Sequence, residues 1–152
     1  MTKVEKLCLA YEAFGRAIEA IPGDKASRLA KSSLGVRAFI AGAMSQTPKP
    51  TPSQIAAGLE QGWRETPILI QGFADEWRVK AAEAWLTATN GAIPEFLIKD
   101  QERMQKILTR GRIRTEAEFY RVRHESDLME GQPHKAHELQ QLYSLTGEYE
   151  SR

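Results

Sequence analysis

Met104-Gln105-Lys106-Ile107-Leu108-Thr109-Arg110-Gly111-Arg112-Ile113-Arg114-Thr115-Glu116-Ala117-Glu118 is the stretch on which the fold turns. Met104, Ile107 and Leu108 recur at helical spacing and run out at Arg110, and Gly111 stands where a left-handed helix cap is expected. Thr115, followed three residues later by Glu118, reads as a capping box that opens the next helix. A helix end, a short turn and a helix start are the grammar of an all-α chain.

Upstream, Pro94 opens the helix whose stripe of Ile93, Leu97, Met104, Ile107 and Leu108 ends at this turn. Thr66-Pro67 reads as the start of a longer helix to about Thr89, with Leu69, Phe73, Trp77, Ala81, Ala84 and Ala88 on one face and Asn90-Gly91 as its stop. Before it, Thr51-Pro52-Ser53-Gln54 opens a short helix that carries Ile55 and Leu59 and ends near Gly62-Trp63. Downstream of the turn, Ala117, Tyr120, Val122 and Leu128 continue one helix to Gly131, and Pro133 starts the last, with Leu139, Leu142, Tyr143 and Leu145.

The N-terminal segment obeys the same rules. Thr2 and Glu5 make a capping-box start, and Val4, Leu7, Tyr11, Phe14, Ile18 and Ile21 alternate spacings of three and four up to Pro22-Gly23. That seam has heptad spacing, which raises a coiled-coil homodimer, but it lasts under three heptads and suits an ordinary core-facing helix better. A second helix is expected from Asp24 or Ser27 to Met44, rich in small residues that let the first lie close against it as an αα-hairpin. Prolines at 48, 50 and 52 make the segment 45–53 a stiff spacer.

No window alternates with period two, so no β-sheet is expected. The fold class is a compact all-α bundle of six or seven helices built from antiparallel helix hairpins. Residues 1–44 form an N-terminal hairpin, 45–53 a linker, and 54–152 a helical region packing with the hairpin; one core or two is left open.

The bulk numbers bound function. With 152 residues, 41% hydrophobic and 27% charged, the chain can bury its own core. A net charge of +1 argues against a dedicated non-specific nucleic-acid binder. Charge is nonetheless uneven: basic residues gather between Lys99 and Arg123, and the tail beyond is acidic. Cys8, the single cysteine, excludes an internal disulfide and suits a reducing compartment. No signal peptide is legible, and Ile68-Leu69-Ile70 is far too short to cross a bilayer, so a cytoplasmic protein without a membrane partner is expected.

Chemistry is sparse. His134 and His137 sit three apart near a helix start and, with His124 or Glu138, are weak candidates for a metal site; the zincin spacing and cysteine pairs are absent, and solvated histidines explain the pattern equally. Cys8 lies within the first helix with no histidine near it in sequence, as a buried thiol would. Asp75, Glu76 and Glu83 read as solvated carboxylates, and a di-iron bundle would need Glu-x-x-His motifs that are missing. No catalytic residue and no cofactor is assigned.

Two readings remain. The first is a non-catalytic, cytoplasmic protein that binds another protein: an adaptor, an inhibitor, or a bacterial immunity-type protein that neutralises a toxin. Its candidate contacts are Lys106, Arg110, Arg112, Arg114, Arg121 and Arg123 around the turn, with Trp77 and Trp85, two large rings unlikely to be both buried in so small a domain. The second is a nucleic-acid-binding regulator in which the same basic residues sit on a helix-turn-helix. Against it, Glu116 and Glu118 occupy the N-terminus of the would-be recognition helix, where they suit the helix dipole and repel phosphates.

Overall fold

The computed structural model describes residues 1–130 and 132–152, and every regular element among them is helical. In chain order these are α1 (Lys3–Ile18), α2 (Asp24–Leu34), α3 (Val36–Met44), α4 (Pro52–Ile70), α5 (Asp75–Ala92), α6 (Phe96–Arg110), α7 (Glu116–Met129), a 3-10 turn (Pro133–Lys135) and α8 (Ala136–Glu150). The all-α class holds, with eight α-helices among the described residues where six or seven are expected. Gly131, at which the sequence reading ends the seventh helix, lies outside the described residues.

Several boundaries differ from expectation. The helix expected to run unbroken to Met44 divides at Gly35, whose amide closes the last turn of α2 on the Lys31 carbonyl while its own carbonyl starts α3. The helix expected to stop at Gly62-Trp63 and restart at Thr66-Pro67 is instead one element, α4, with Pro67 inside it. Proline at 67 cannot donate to the Trp63 carbonyl four residues back. The Trp85 indole Nε1–H supplies that bond from α5 at 3.2 Å. Thr66, expected as a cap, donates its hydroxyl to the Gly62 carbonyl at 2.8 Å. The real break comes later, at Gln71 to Ala74, and α5 then runs past Asn90-Gly91 to Ala92.

Capping follows the sequence in part. Thr51 and Gln54 form the complete reciprocal box at the start of α4. At α1 and α7 only half of each box forms: Thr2 accepts from the Glu5 amide and Thr115 from the Glu118 amide, both at 3.1 Å. The carboxylates that should reach back are drawn to guanidinium groups, Glu5 to Arg37 and Glu118 to Arg110. A charge-assisted bidentate pair outcompetes a single bond to a backbone amide. Gly111 behaves as expected, with φ +73° and its amide on the Ile107 carbonyl at 2.9 Å.

The seam of α1 is spent inside the molecule. Leu7, Phe14, Ile18 and Ile21 are buried in one cluster with residues of α2 to α5 and the start of α6. Buried side chains before and after the Pro-rich segment, Val36 and Leu59 among them, share that cluster. Its centre is aromatic: Trp63 stacks on Trp85 at 5.7 Å, and Tyr11, Phe14 and Phe96 meet the pair edge-on. A second cluster gathers Met104, Ile107, Ile113, Val122 and Leu142 from the end of α6, the turn, α7 and α8. The division thus falls within α6, not at the prolines. Helix α7 joins the halves: His124 meets the Trp85 ring edge-on at 5.2 Å, and buried Asp127 accepts from Arg78 and Gln71 at 2.9 Å each.

Candidate functional site: a basic cleft between α4, α6 and α7

The turn that opened the sequence reading borders a cleft of about 550 Å³ between the C-terminal half of α4, one face of α6 and the start of α7. Arg103, Lys106 and Arg110 fall at helical spacing on α6 and share that face. Arg64 faces them from α4, Arg114 comes from the turn, and Arg121 from α7. Against these six cations the lining offers three carboxylates, Glu65, Asp100 and Glu118. Pro67, Ile68, Ile107 and Ala117 make parts of the wall apolar.

Two cations are already committed. Arg110 donates to both oxygens of Glu118, whose Oε1 also accepts the Arg114 amide at 2.7 Å. Arg121 binds Asp100, which is only 3% exposed, through two nitrogens and Glu125 through a third. Burial works against the Arg121 charge, but the bonds to Asp100 and Glu125 outweigh it and hold the guanidinium above its usual range. Both arginines are structural ties within the cleft wall.

The other four, Arg64, Arg103, Lys106 and Arg114, form no ion pair with any described residue. The Arg64 Nε is sealed from solvent and lacks an acceptor among the described residues. An unmet charged donor of this kind costs on the order of 1–3 kcal/mol. Arginine forks also match planar carboxylates and phosphoryl oxygens in two-point fashion.

The sequence-derived set is therefore partitioned. Lys106, Arg110, Arg114 and Arg121 line the cleft. Arg112 is 63% exposed and turns toward Glu148 of α8, and Arg123 lies over the Phe119 ring at 5.7 Å, so neither lines it. Trp85 is 1% exposed inside the aromatic core and offers no surface to a partner; the expectation that both tryptophans could not be fully buried is met by Trp77 alone, half-buried with Lys80 over its ring. Arg64 and Arg103 were absent from the set. Arg64 lies far from the turn in sequence, and only the placing of α4 beside α6 and α7 brings it there.

The other candidates disperse. His134 and His137 are exposed on the 3-10 turn and α8, and no group of three or more metal-ligating side chains occurs among the described residues. His124 is sealed in the core with neither ring nitrogen bonded, and burial pushes its imidazole well below the usual range, with the Arg121 charge adding to the effect. Cys8 is buried, which raises its thiol above the ordinary range and keeps it protonated. Asp75 is exposed and pairs with Arg78. Helix α7 packs against α4, α5, α6 and α8, and Glu116 and Ala117 in its first turn are exposed. No helix among the described residues is long and apolar enough to cross a membrane.

No protein-family model, no curated protein and no solved structure matches the chain.

Proposed function

We propose that this protein works by binding another protein, and that the cleft between α4, α6 and α7 receives an acidic segment of that partner. The observation that carries the reading is the set of four unpaired cations, Arg64, Arg103, Lys106 and Arg114, on a concave wall with apolar patches. An isolated basic face would leave such charges to solvent on a convex surface. Here they converge from two helices and a turn, so a linear anionic chain can meet several at once. A site of this kind suits an adaptor, an inhibitor or an immunity-type protein, acting in the reducing cytoplasm that a lone buried thiol fits.

Fluorescence anisotropy at low salt tests the reading. A labelled aspartate- and glutamate-rich peptide is expected to bind, to weaken as ionic strength rises, and to lose most of its affinity with Arg64→Ala combined with Lys106→Ala. Duplex DNA and single-stranded RNA of matched charge are run beside it. Tighter, substitution-sensitive retention of either nucleic acid would replace the protein partner with a nucleic-acid one, and no binding by the peptide at low salt would sink the proposal.

A further inference from the structure

The basic cleft does not end at Ile68. That side chain, in the last turn of α4, is also a wall of a second cleft of about 460 Å³, between α2 and the turn that leads into α5. The second cleft takes Lys25 and Arg28 from α2 and Leu29, Leu69 and Phe73 as its apolar lining, and no carboxylate lines it. Lys25 and Arg28 are exposed and form no ion pair with any described residue. The Lys25 side chain lies across the turn, its Nζ 3.2 Å from where a β-carbon on Gly72 would stand. Leu69 is 55% exposed beside Ile68.

The order across this surface is cationic, apolar, cationic. Arg64, Arg103, Lys106 and Arg114 stand on one side, Ile68 and Leu69 form the ridge, and Lys25 and Arg28 stand on the other. A single exposed leucine is ordinary on any protein. Flanked on both sides by unpaired cations, with no carboxylate in the second cleft and only Glu65 outside an ion pair in the basic one, it defines a complementary shape of charge. We infer that the two clefts are one docking surface for an extended partner segment in which a large apolar side chain is flanked on both sides by acidic residues. The apolar residue seats on Ile68 and Leu69, the acidic residues on one side reach Arg64 and Lys106, and those on the other reach Lys25 and Arg28. This rests on the proposed protein-binding role of the basic cleft and names the kind of sequence that fills it.

The test uses the full chain and three labelled peptides of equal length and charge: acidic residues on both sides of a Leu-Phe pair, the same composition with the pair moved to one end, and the first with Gly-Ser in place of the pair. Oligothymidylate is the fourth probe. The first peptide is expected to bind about tenfold more tightly than the third, the return from burying one or two apolar side chains. Leu69→Ser is expected to bring the first peptide down to the affinity of the third. Lys25→Ala with Arg28→Ala is expected to weaken the first peptide severalfold and the second less, because its acidic run can lie in the basic cleft alone. These three positions are exposed, and an unchanged circular dichroism spectrum shows that the variants fold. Equal binding of all three peptides, or indifference to both sets of substitutions, overturns the inference and leaves the basic cleft's role standing. Failure of every peptide at low salt, or oligothymidylate binding more tightly than all of them, overturns both.

Discussion

Arg110 and Glu118 clasp the turn between α6 and α7 from its two ends, with Nη2 donating to Oε2 at 2.8 Å and Nη1 to Oε1 at 3.2 Å. The same carboxylate accepts the Arg114 amide at 2.7 Å, so one side chain orders the whole joint. This accounts for one of the three arginines in Arg110-Gly111-Arg112-Ile113-Arg114: it is a clasp, while Arg112 turns outward and Arg114 lines the cleft without an ion pair to any described residue.

The pair keeps 20% and 26% side-chain exposure, which places its contribution near the upper end of the range for surface ion pairs. Arg110→Ala is expected to cost about 1 kcal/mol, and a cycle with Glu118→Gln to give a coupling of about 0.5–1 kcal/mol. Urea midpoints of the four proteins measure it. A coupling indistinguishable from zero would show that the two are neighbours and not partners.

His124 sets a pH dependence of a definite sign. Its imidazole is 0% exposed, has no hydrogen-bond partner among the described residues, and is held well below its usual value by burial and then by Arg121. A histidine with a depressed folded pKa takes up its proton more readily in the unfolded chain. Its neutral form is therefore compatible with the fold above the unfolded value of about 6.5, and stability is lost as pH falls below it, by up to about 1.4 kcal/mol per pH unit. The groups that face the ring are Trp85 from α5 and Arg121 from its own helix, and neither titrates in that window. Urea unfolding at pH 7.5 and 5.5 is expected to show a loss that His124→Leu abolishes. An equal loss in the variant would assign the effect elsewhere.

What could be read from the chain followed from how local each feature is. Gly111 and Thr115 were legible because a left-handed cap and an N-cap are decided within four residues. The missing half of the capping box at Glu118 was not, since the competing Arg110 sits across the turn. Pro67 misled for the same reason: the helix survives because Trp85, eighteen residues away, meets the carbonyl that proline leaves open. The basic turn was visible in the charge pattern, and four of its six named residues do line the cleft. Arg64, and the second cleft with Lys25 and Arg28, needed the tertiary arrangement that sets α4 across the two clefts from α6, α7 and α2 to appear.

The Trp85–Trp63 bond can be tested by exchange. Trp85→Phe removes the indole donor to the Trp63 carbonyl along with part of a buried ring, and is expected to destabilise by about 2–4 kcal/mol. Pro67→Ala restores a backbone donor to the same oxygen. The double variant is expected to be more stable than the sum of the two single changes by about 1 kcal/mol, read from thermal or urea unfolding. Strict additivity would mean that the carbonyl is satisfied in some other way.

Two glycines in helix interiors should respond in opposite directions. A β-carbon on Gly15 of α1 would stand 2.8 Å from Leu34 Cγ and 3.1 Å from the Leu34 backbone nitrogen, so α1 and α2 touch there with no room for a methyl group. Leu34 can swing its side chain but not its backbone, and overpacking of this kind costs about 1–3 kcal/mol. Gly58 of α4 has no atom within 4 Å of its β-carbon position, so alanine there keeps the packing and gains helix propensity of up to about 1 kcal/mol. Gly15→Ala is therefore expected to lower the urea midpoint although the same propensity gain applies to it, and Gly58→Ala to raise it. If both raise it, α2 yields at Leu34 and the approach of the first two helices is looser than 2.8 Å implies.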